Sequence, residues 1–384
     1  MTMKGGIGQV LCVCVLLGCT AKGVRYTRLP VDPTWSLVYV KGQDQLCLDP
    51  VDSVEPRLVF QAPGSALLLP RASPDGANLA FYRFKDRRGE LNLVPLGVSV
   101  DDAVAQRKML VEIEGAVGHR MIVFAPIWES NGRSLLVVAQ DGIYRIATDG
   151  GHERLVAHSD ILGASLSADE NRIAYADGEG VFVVDAKGAS ITSTRTLSRS
   201  NPKRQAAHPV AFSPDGTRIA YAAGRYLFIW DWESKEGREI QDMADPIFWI
   251  EWLPGGQRLV FMTGSSVRNV RSSPAATPYA VAEGHCDLYS IKVDGHGLTF
   301  LFRDREIDVY LAQPTLSPDG RHVALVSVIN GEPRVMIAAT DAAKETPLVQ
   351  GAASHASWIP PSSELRPDVP SPGVCRAVVF YAVD

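Results

Sequence analysis

Hydrophobic and polar positions alternate in short runs along most of this chain. Gly142-Ile-Tyr-Arg-Ile-Ala-Thr, Tyr226-Leu-Phe-Ile-Trp-Asp-Trp and Asp287-Leu-Tyr-Ser-Ile-Lys-Val each read as a strand, and each closes near Asp or Gly. Shorter apolar runs such as Leu79-Ala-Phe, Ile219-Ala-Tyr and Val323-Ala-Leu have the length and character of buried strands. After residue 20 no stretch sustains a helical period, and Val104 to Val111 comes nearest. The pattern predicts an all-β chain built from many short strands.

The strands come in a repeating unit. Ser73-Pro-Asp-Gly leads into Ala-Asn-Leu-Ala-Phe-Tyr, and the same turn recurs at Ser213-Pro-Asp-Gly and Ser317-Pro-Asp-Gly. Degraded copies stand at Glu129-Ser-Asn-Gly, Ser167-Ala-Asp-Glu and Leu253-Pro-Gly-Gly. Proline presets φ for the turn, and Asp75-Gly76, Asp215-Gly216 and Asp319-Gly320 supply its tight, left-handed corner. Each turn is followed by one buried strand and then by a second, alternating one. Units of about 40–50 residues with loop insertions suit the blades of a propeller.

The Ser-Pro-Asp-Gly turn, followed by a strand closing in Asp-Gly, resembles the repeats of the TolB-type β-propeller. The resemblance runs from about residue 33 to about residue 360 and implies four-stranded antiparallel blades. Six turn-bearing units are visible, and a seventh is expected to be split between the chain ends. Ser36–Val40, Gln45–Leu48 and Arg57–Phe60 would supply its first strands. Ala356-Ser-Trp-Ile-Pro and Arg376–Val383 are the strand-like pieces near the other end. Pairing first and last strands in one blade would close the ring and remove a sheet edge. TolB itself carries an additional N-terminal α/β domain, and the residues before 33 are too few to supply one. The repeat specifies a fold and no activity, since such propellers serve as scaffolds, sensors and some enzymes.

Composition narrows the class. The chain has 384 residues, 46% of them hydrophobic, which is ample for a core and excludes wholesale disorder. The net charge of −5 argues against a chain-wide nucleic-acid footprint. At the N-terminus, Lys4 is followed by an apolar run from Ile7 to Leu17, too short for a membrane span but of signal-peptide length. It ends in Leu16-Leu17-Gly18-Cys19, which resembles the bacterial lipoprotein signal. Residues 1–18 are then a signal peptide, Cys19 the lipidated residue, 19–32 a tether, and 33–384 a single propeller domain. Two or three acyl chains at Cys19 would anchor the domain stably. Thr20 in place of Asp favours the outer membrane.

Six cysteines occur, of which Cys12, Cys14 and Cys19 belong to the signal region. Cys47, Cys286 and Cys375 remain, an odd number for an oxidising compartment. Cys47 and Cys375 sit near the two ends of the folded region, so they are the candidate disulfide across the ring closure. Buried thiols are the alternative.

Enzyme motifs are sparse. The chain holds no G-x-S-x-G elbow, Walker loop or dinucleotide fingerprint, and His152-Glu153 with His158 misses the spacing of a helical zinc site. Neither a catalytic set, a metal site nor a cofactor is expected. Some propellers with similar repeats are polysaccharide lyases that gather histidines around a metal. His119, His208 and His355, each just ahead of a turn unit, keep that reading open as the alternative. The favoured reading is a binding scaffold for another envelope protein. Its candidate contact residues are Arg87 and Arg88 in Lys85–Glu90, and Arg268 and Arg271 in Gly264–Gly284. Both segments are expected on one face of the disc, the first with added length through Asp101–Lys108. Trp128, Trp252 and Trp358 sit at or just before repeat turns and are expected to pack between blades; Trp230 and Trp232 follow the regular strand pattern.

Overall fold

A computed structural model of the chain describes residues 36–50, 57–86, 88–113, 124–139, 141–159, 161–195, 209–266, 284–304, 314–329, 332–341, 348–352, 354–359 and 376–379. These residues form seven antiparallel sheets arranged as a propeller.

The first blade begins with β1 (Ser36–Lys41), β2 (Gln45–Pro50) and β3 (Arg57–Gln61). The second holds β4 (Ala66–Ala72), β5 (Asn78–Lys85), β6 (Arg88–Pro95) and β7 (Lys108–Ile113), with the short helix α1 (Val100–Ala105) between its last two strands. The third holds β8 (Ile127–Trp128), β9 (Ser134–Ala139), β10 (Gly142–Ala147) and β11 (His152–Ala157). The fourth holds β12 (Gly163–Leu166), β13 (Arg172–Ala176), β14 (Gly180–Asp185) and β15 (Ser190–Arg195). The fifth holds β16 (Val210–Phe212), β17 (Arg218–Ala223), β18 (Tyr226–Asp231) and β19 (Glu236–Asp242). The sixth holds β20 (Ile247–Trp252), β21 (Arg258–Ser266), β22 (Gly284–Lys292) and β23 (Thr299–Asp304). The seventh holds β24 (Thr315–Leu316), β25 (His322–Ile329), β26 (Glu332–Ala339) and β27 (Leu348–Ala352).

Two strands remain. β28 (Ser354–Ile359) pairs with β1 as the innermost strand of the first blade, with Trp358 opposite Leu37. This closes the ring. β29 (Arg376–Val379) does not take part in that closure; it pairs with β12 and makes the fourth blade five-stranded. The split blade is therefore as the sequence implies, but its C-terminal member is the earlier of the two strand-like pieces.

The blades hold together by burying both faces of each sheet. Val210, Ala211, Phe212, Ile219, Tyr221 and Trp230 are all buried between the fourth, fifth and sixth blades. Their β-branched and aromatic side chains suit the pleated, doubly covered surface. Leu37, Tyr39, Cys47, Val335, Ile337 and Trp358 form the corresponding cluster where the first blade meets the seventh.

The repeat turns explain why the motif recurs. In the fifth blade the Ser213 hydroxyl donates to Asp215 Oδ1 at 2.5 Å and accepts from Arg218 N at 2.9 Å. Asp215 Oδ1 also accepts from Thr217 N at 3.0 Å. Gly216 N donates to Ser213 O at 2.8 Å, and Gly216 sits at φ +70°. Ser317, Asp319 and Gly320 repeat this arrangement, and Ser73, Asp75 and Gly76 do the same. The serine hydroxyl, the aspartate carboxylate and the glycine N–H of the corner thus find partners within five residues. In the degraded fourth-blade copy, Glu170 occupies the left-handed corner at φ +58°. Its carboxylate accepts from Ser130 N in the neighbouring turn, a contact glycine could not make.

Candidate functional site

The propeller has two unlike faces. Every repeat turn connects a blade's innermost strand to its second, so these turns all emerge on one face. The hairpins joining second and third strands emerge on the other, together with the links between blades.

The repeat-turn face is locked by contacts from blade to blade. A Cβ on Gly320 would collide with the Pro254 ring of the preceding turn, and one on Gly256 would stand 3.7 Å from Pro214 Cδ. Arg218 Nη2 donates to Gly256 O at 3.0 Å, and its guanidinium lies 5.2 Å from the Trp252 ring. Just inside this face, three indoles donate to the inner strand of the preceding blade. Trp128 reaches Arg71 O at 3.0 Å, Trp252 reaches Ala211 O at 2.9 Å, and Trp358 reaches Thr315 O at 3.0 Å. All three are buried, so packing between blades is their role. Asp75, Gly76, Asp215, Gly216, Asp319 and Gly320 form the corners of these turns.

At the inner-strand ends beside these turns lie two charged groups. Arg71 donates to Pro70 O at 3.0 Å and Ala356 O at 3.3 Å. Burial lowers its pKa to about 10, against the opposing charge of Glu251. Glu251 is itself buried at the equivalent position of β20.

The opposite face is uneven. The β21–β22 hairpin has arms of nine residues each, and those of the second and seventh blades have eight. In the other blades the corresponding strands have five or six. The three long hairpins stand on one arc of the disc, around the first blade. The third, fourth and fifth blades form a lower sector.

That lower sector carries a polar and aromatic group. His158, in the link after β11, places Nε2 2.8 Å from Asp177 Oδ2 in the β13–β14 hairpin. Asp177 Oδ1 accepts from Glu179 N at 2.6 Å and Gly180 N at 2.8 Å, which holds the carboxylate in place. The imidazole lies beside Tyr175 and Phe182, whose rings stack at 5.0 Å. Burial, then the Asp177 charge, raises the Tyr175 pKa. Tyr144 donates to Asp141 Oδ2 at 2.7 Å next to Arg154. Spacing could not reveal this group, because His158 and Asp177 come from different blades. Strand parity puts both on one face, since links between blades and second hairpins emerge there, but the contact itself comes from the closed ring.

The sequence-derived contact residues are placed only in part. Gly264–Ser266 continue β21 and pair with Gly284–Cys286, so the ends of that insertion are strand rather than loop. Arg268 and Arg271 lie outside the described residues, as does Arg87. Lys85 pairs directly with Arg88 across a tight turn, and Arg88 is exposed on the uneven face. The added length near Asp101–Lys108 is not on that face. It belongs to the β6–β7 connection, emerges on the repeat-turn side, and contains α1, capped by Ser99 Oγ accepting from Asp102 N at 3.1 Å. Two segments near in sequence are separated because β6 carries the chain across the disc.

Cys47 is buried on β2 and Cys286 on β22. Cys19 and Cys375 lie outside the described residues, and Arg376, next to Cys375, opens the strand paired with β12 in the fourth blade. His119 and His208 also lie outside them. His355 is on β28 of the first blade. Among the described residues no group of three or more His, Cys, Asp or Glu is placed to hold a metal ion. None of the described helices is long and apolar enough to cross a membrane.

No family model matches the chain. It is 28% identical over 189 residues to a protein TolB homolog of Chlorobium luteolum, an alignment that spans 48% of this chain and 36% of that protein. The chain thus aligns with little more than a third of that relative's length. Among solved structures, an oligogalacturonate lyase of Vibrio parahaemolyticus superposes with a TM-score of 0.52 at 13% identity, covering 80% of this chain and 92% of that one. A functionally unknown protein of Desulfotomaculum acetoxidans superposes with a TM-score of 0.53 at 13% identity, covering 85% and 99%. At such identities the structures share the fold with this chain. They show a β-propeller fold, and about half of the chain is similar in sequence to part of a TolB homolog.

Proposed function

We propose that this chain is a lipid-anchored protein of the bacterial cell envelope whose propeller is a non-catalytic scaffold for another envelope protein or assembly. The anchor is Cys19, the tether residues 19–32, and the favoured membrane the outer one. The observation that carries the reading is the asymmetry of the two faces. One face is braced by turn-to-turn contacts at several blade boundaries, and the other presents three long hairpins above a polar, aromatic sector. A rigid disc offers such a surface at low ordering cost. The likeness to a TolB homolog supports the envelope setting.

The contact residues in this reading are Arg88 and, by position in the sequence, Arg87, Arg268 and Arg271. The test is a pull-down from gently crosslinked envelopes with the lipidated protein as bait. Cys19→Ser and a chain lacking residues 267–283 serve as controls. A stoichiometric protein partner retained by the full bait and lost from the shortened, folded one supports the reading. Equal recovery by the shortened chain moves the contact elsewhere. The polysaccharide alternative has one observation in its favour, the shared fold of an oligogalacturonate lyase. Recovery of glycan with stoichiometric manganese or zinc, and no protein, would favour it instead.

A further inference from the structure

The fourth blade differs from the others in one respect. Among the described residues, six sheets stop at four strands, and this one has a fifth. β29 pairs antiparallel with the inner edge of β12, in the register Leu166 to Arg376, Ser165 to Ala377, Ala164 to Val378 and Gly163 to Val379. It also runs beside β16 and β20. A strand on the axial side of three innermost strands lies in the central channel. Leu166 adjoins the repeat turn at Ser167, so β29 enters at the repeat-turn mouth and runs toward the uneven face.

Three features set this strand apart from the blade strands. The ring is already closed without it, by β28 on β1. Its acceptor, Gly163-Ala164-Ser165-Leu166, has three small residues, whereas β20 in the sixth blade reads Ile-Phe-Trp-Ile-Glu-Trp. Small residues leave room at the axis for another backbone. Finally, residues 360–375 separate it from β28, sixteen positions with five prolines. At about 3.3 Å per extended residue they reach roughly 50 Å, enough to cross the disc from the first blade to the channel.

An unpaired inner edge is a row of backbone donors and acceptors that an added strand satisfies. We propose that residues 376–379 are a plug folded onto a finished propeller: a resident occupant of the channel, held on the β12 edge and removable without unfolding the ring. The plug makes the channel self-filled. Any ligand acting at the axis, including a polysaccharide in the lyase-like reading, must first displace it. This inference does not depend on the scaffold reading, which concerns the outer hairpins.

The test uses the mature chain, a version ending at Gly373, and a third with Ala164→Cys, Val378→Cys and Cys375→Ser. The probe is a fluorescein-labelled peptide of residues 374–384 with serine at 375. The shortened chain is expected to unfold cooperatively and to bind the peptide saturably. The full chain should bind at least tenfold more weakly. The paired cysteines should crosslink on mild oxidation and abolish peptide binding. A shortened chain that does not fold makes the strand part of the core and overturns the proposal. So do absence of binding by a folded shortened chain, equal binding by both chains, and absence of the crosslink.

Discussion

At the scale of single residues, the repeat turn is the unit that can be taken apart. Gly216 and Gly320 have nearly the same φ, +70° and +72°, but different surroundings. Nothing lies within 4 Å of a Cβ at Gly216, whereas one at Gly320 meets the rigid Pro254 ring. Gly216→Ala should cost about 1 kcal/mol, the price of a left-handed alanine. Gly320→Ala adds the overlap, so it should cost roughly 1–3 kcal/mol more. Urea unfolding of the two variants compares them directly, and equal losses would mean that the turns do not interlock. The aspartates add a pH dependence. Burial works against ionisation of Asp215, but the Ser213 hydroxyl, the N–H and hydroxyl of Thr217 and the Arg218 charge outweigh it and hold its pKa below the usual carboxylate value. Asp169 is lowered in the same way, by Ser167, Asn171 and Arg172. A carboxylate with a lower pKa folded than unfolded stabilises the fold above its unfolded value of 3.8, and loses that contribution as pH falls through the folded one. Asp215→Ala should therefore lower stability at pH 7, with the gap from the parent narrowing below pH 4. A gap unchanged at pH 3 would assign the loss to turn geometry alone.

At the scale of elements, the tryptophans show how blades are joined. Trp128, Trp252 and Trp358 each lie at or next to the end of an inner strand, and each donates to a carbonyl of the preceding blade. Trp252→Phe keeps the ring but leaves Ala211 O without this donor in a buried setting. It should cost about 2 kcal/mol, read from the shift of the denaturant midpoint. A loss below about 0.5 kcal/mol would reduce the indole to a filler. The sequence placed these residues at the turns because the motif marks the turns; which blade each one touches follows from the ring. α1 shows the opposite case. Six residues are too few for a helical period to emerge: the nearest sequence candidate, Val104 to Val111, overlaps only the end of α1, and its later half is β7. Its cap at Ser99 was the available signal.

At the scale of the whole molecule, the two faces separate stability from contact. Removal of residues 267–283, with β21 and β22 joined by a short turn, should leave the unfolding midpoint within a few degrees of the parent. The same deletion should abolish partner capture. A large fall in the midpoint would place that segment in the fold rather than on the contact surface. Cys19→Ser should move the protein from the membrane fraction to the soluble envelope fraction, and unchanged fractionation would remove the lipid anchor.

The sequence by itself determined the all-β class, the repeat turns and the strands that follow them. Those follow from local chemistry: proline fixing φ, Asp-Gly taking the left-handed corner, and a serine and an aspartate accepting the corner's own N–H groups within five residues. It also implied that one blade is shared between the chain ends, since strand-like pieces at both ends lacked a turn-bearing unit. Only the tertiary structure decided which C-terminal piece closes that blade. β28 carries a tryptophan that reaches Thr315 O across the blade boundary, and β29 does not compete for that place. Only the tertiary structure brought His158 to Asp177, put Arg88 and Asp101 on opposite faces, and set a fifth strand against β12. Each of these depends on how many strands the chain crosses before it returns to the same side of the disc. That count is a property of the closed ring, and no local spacing records it.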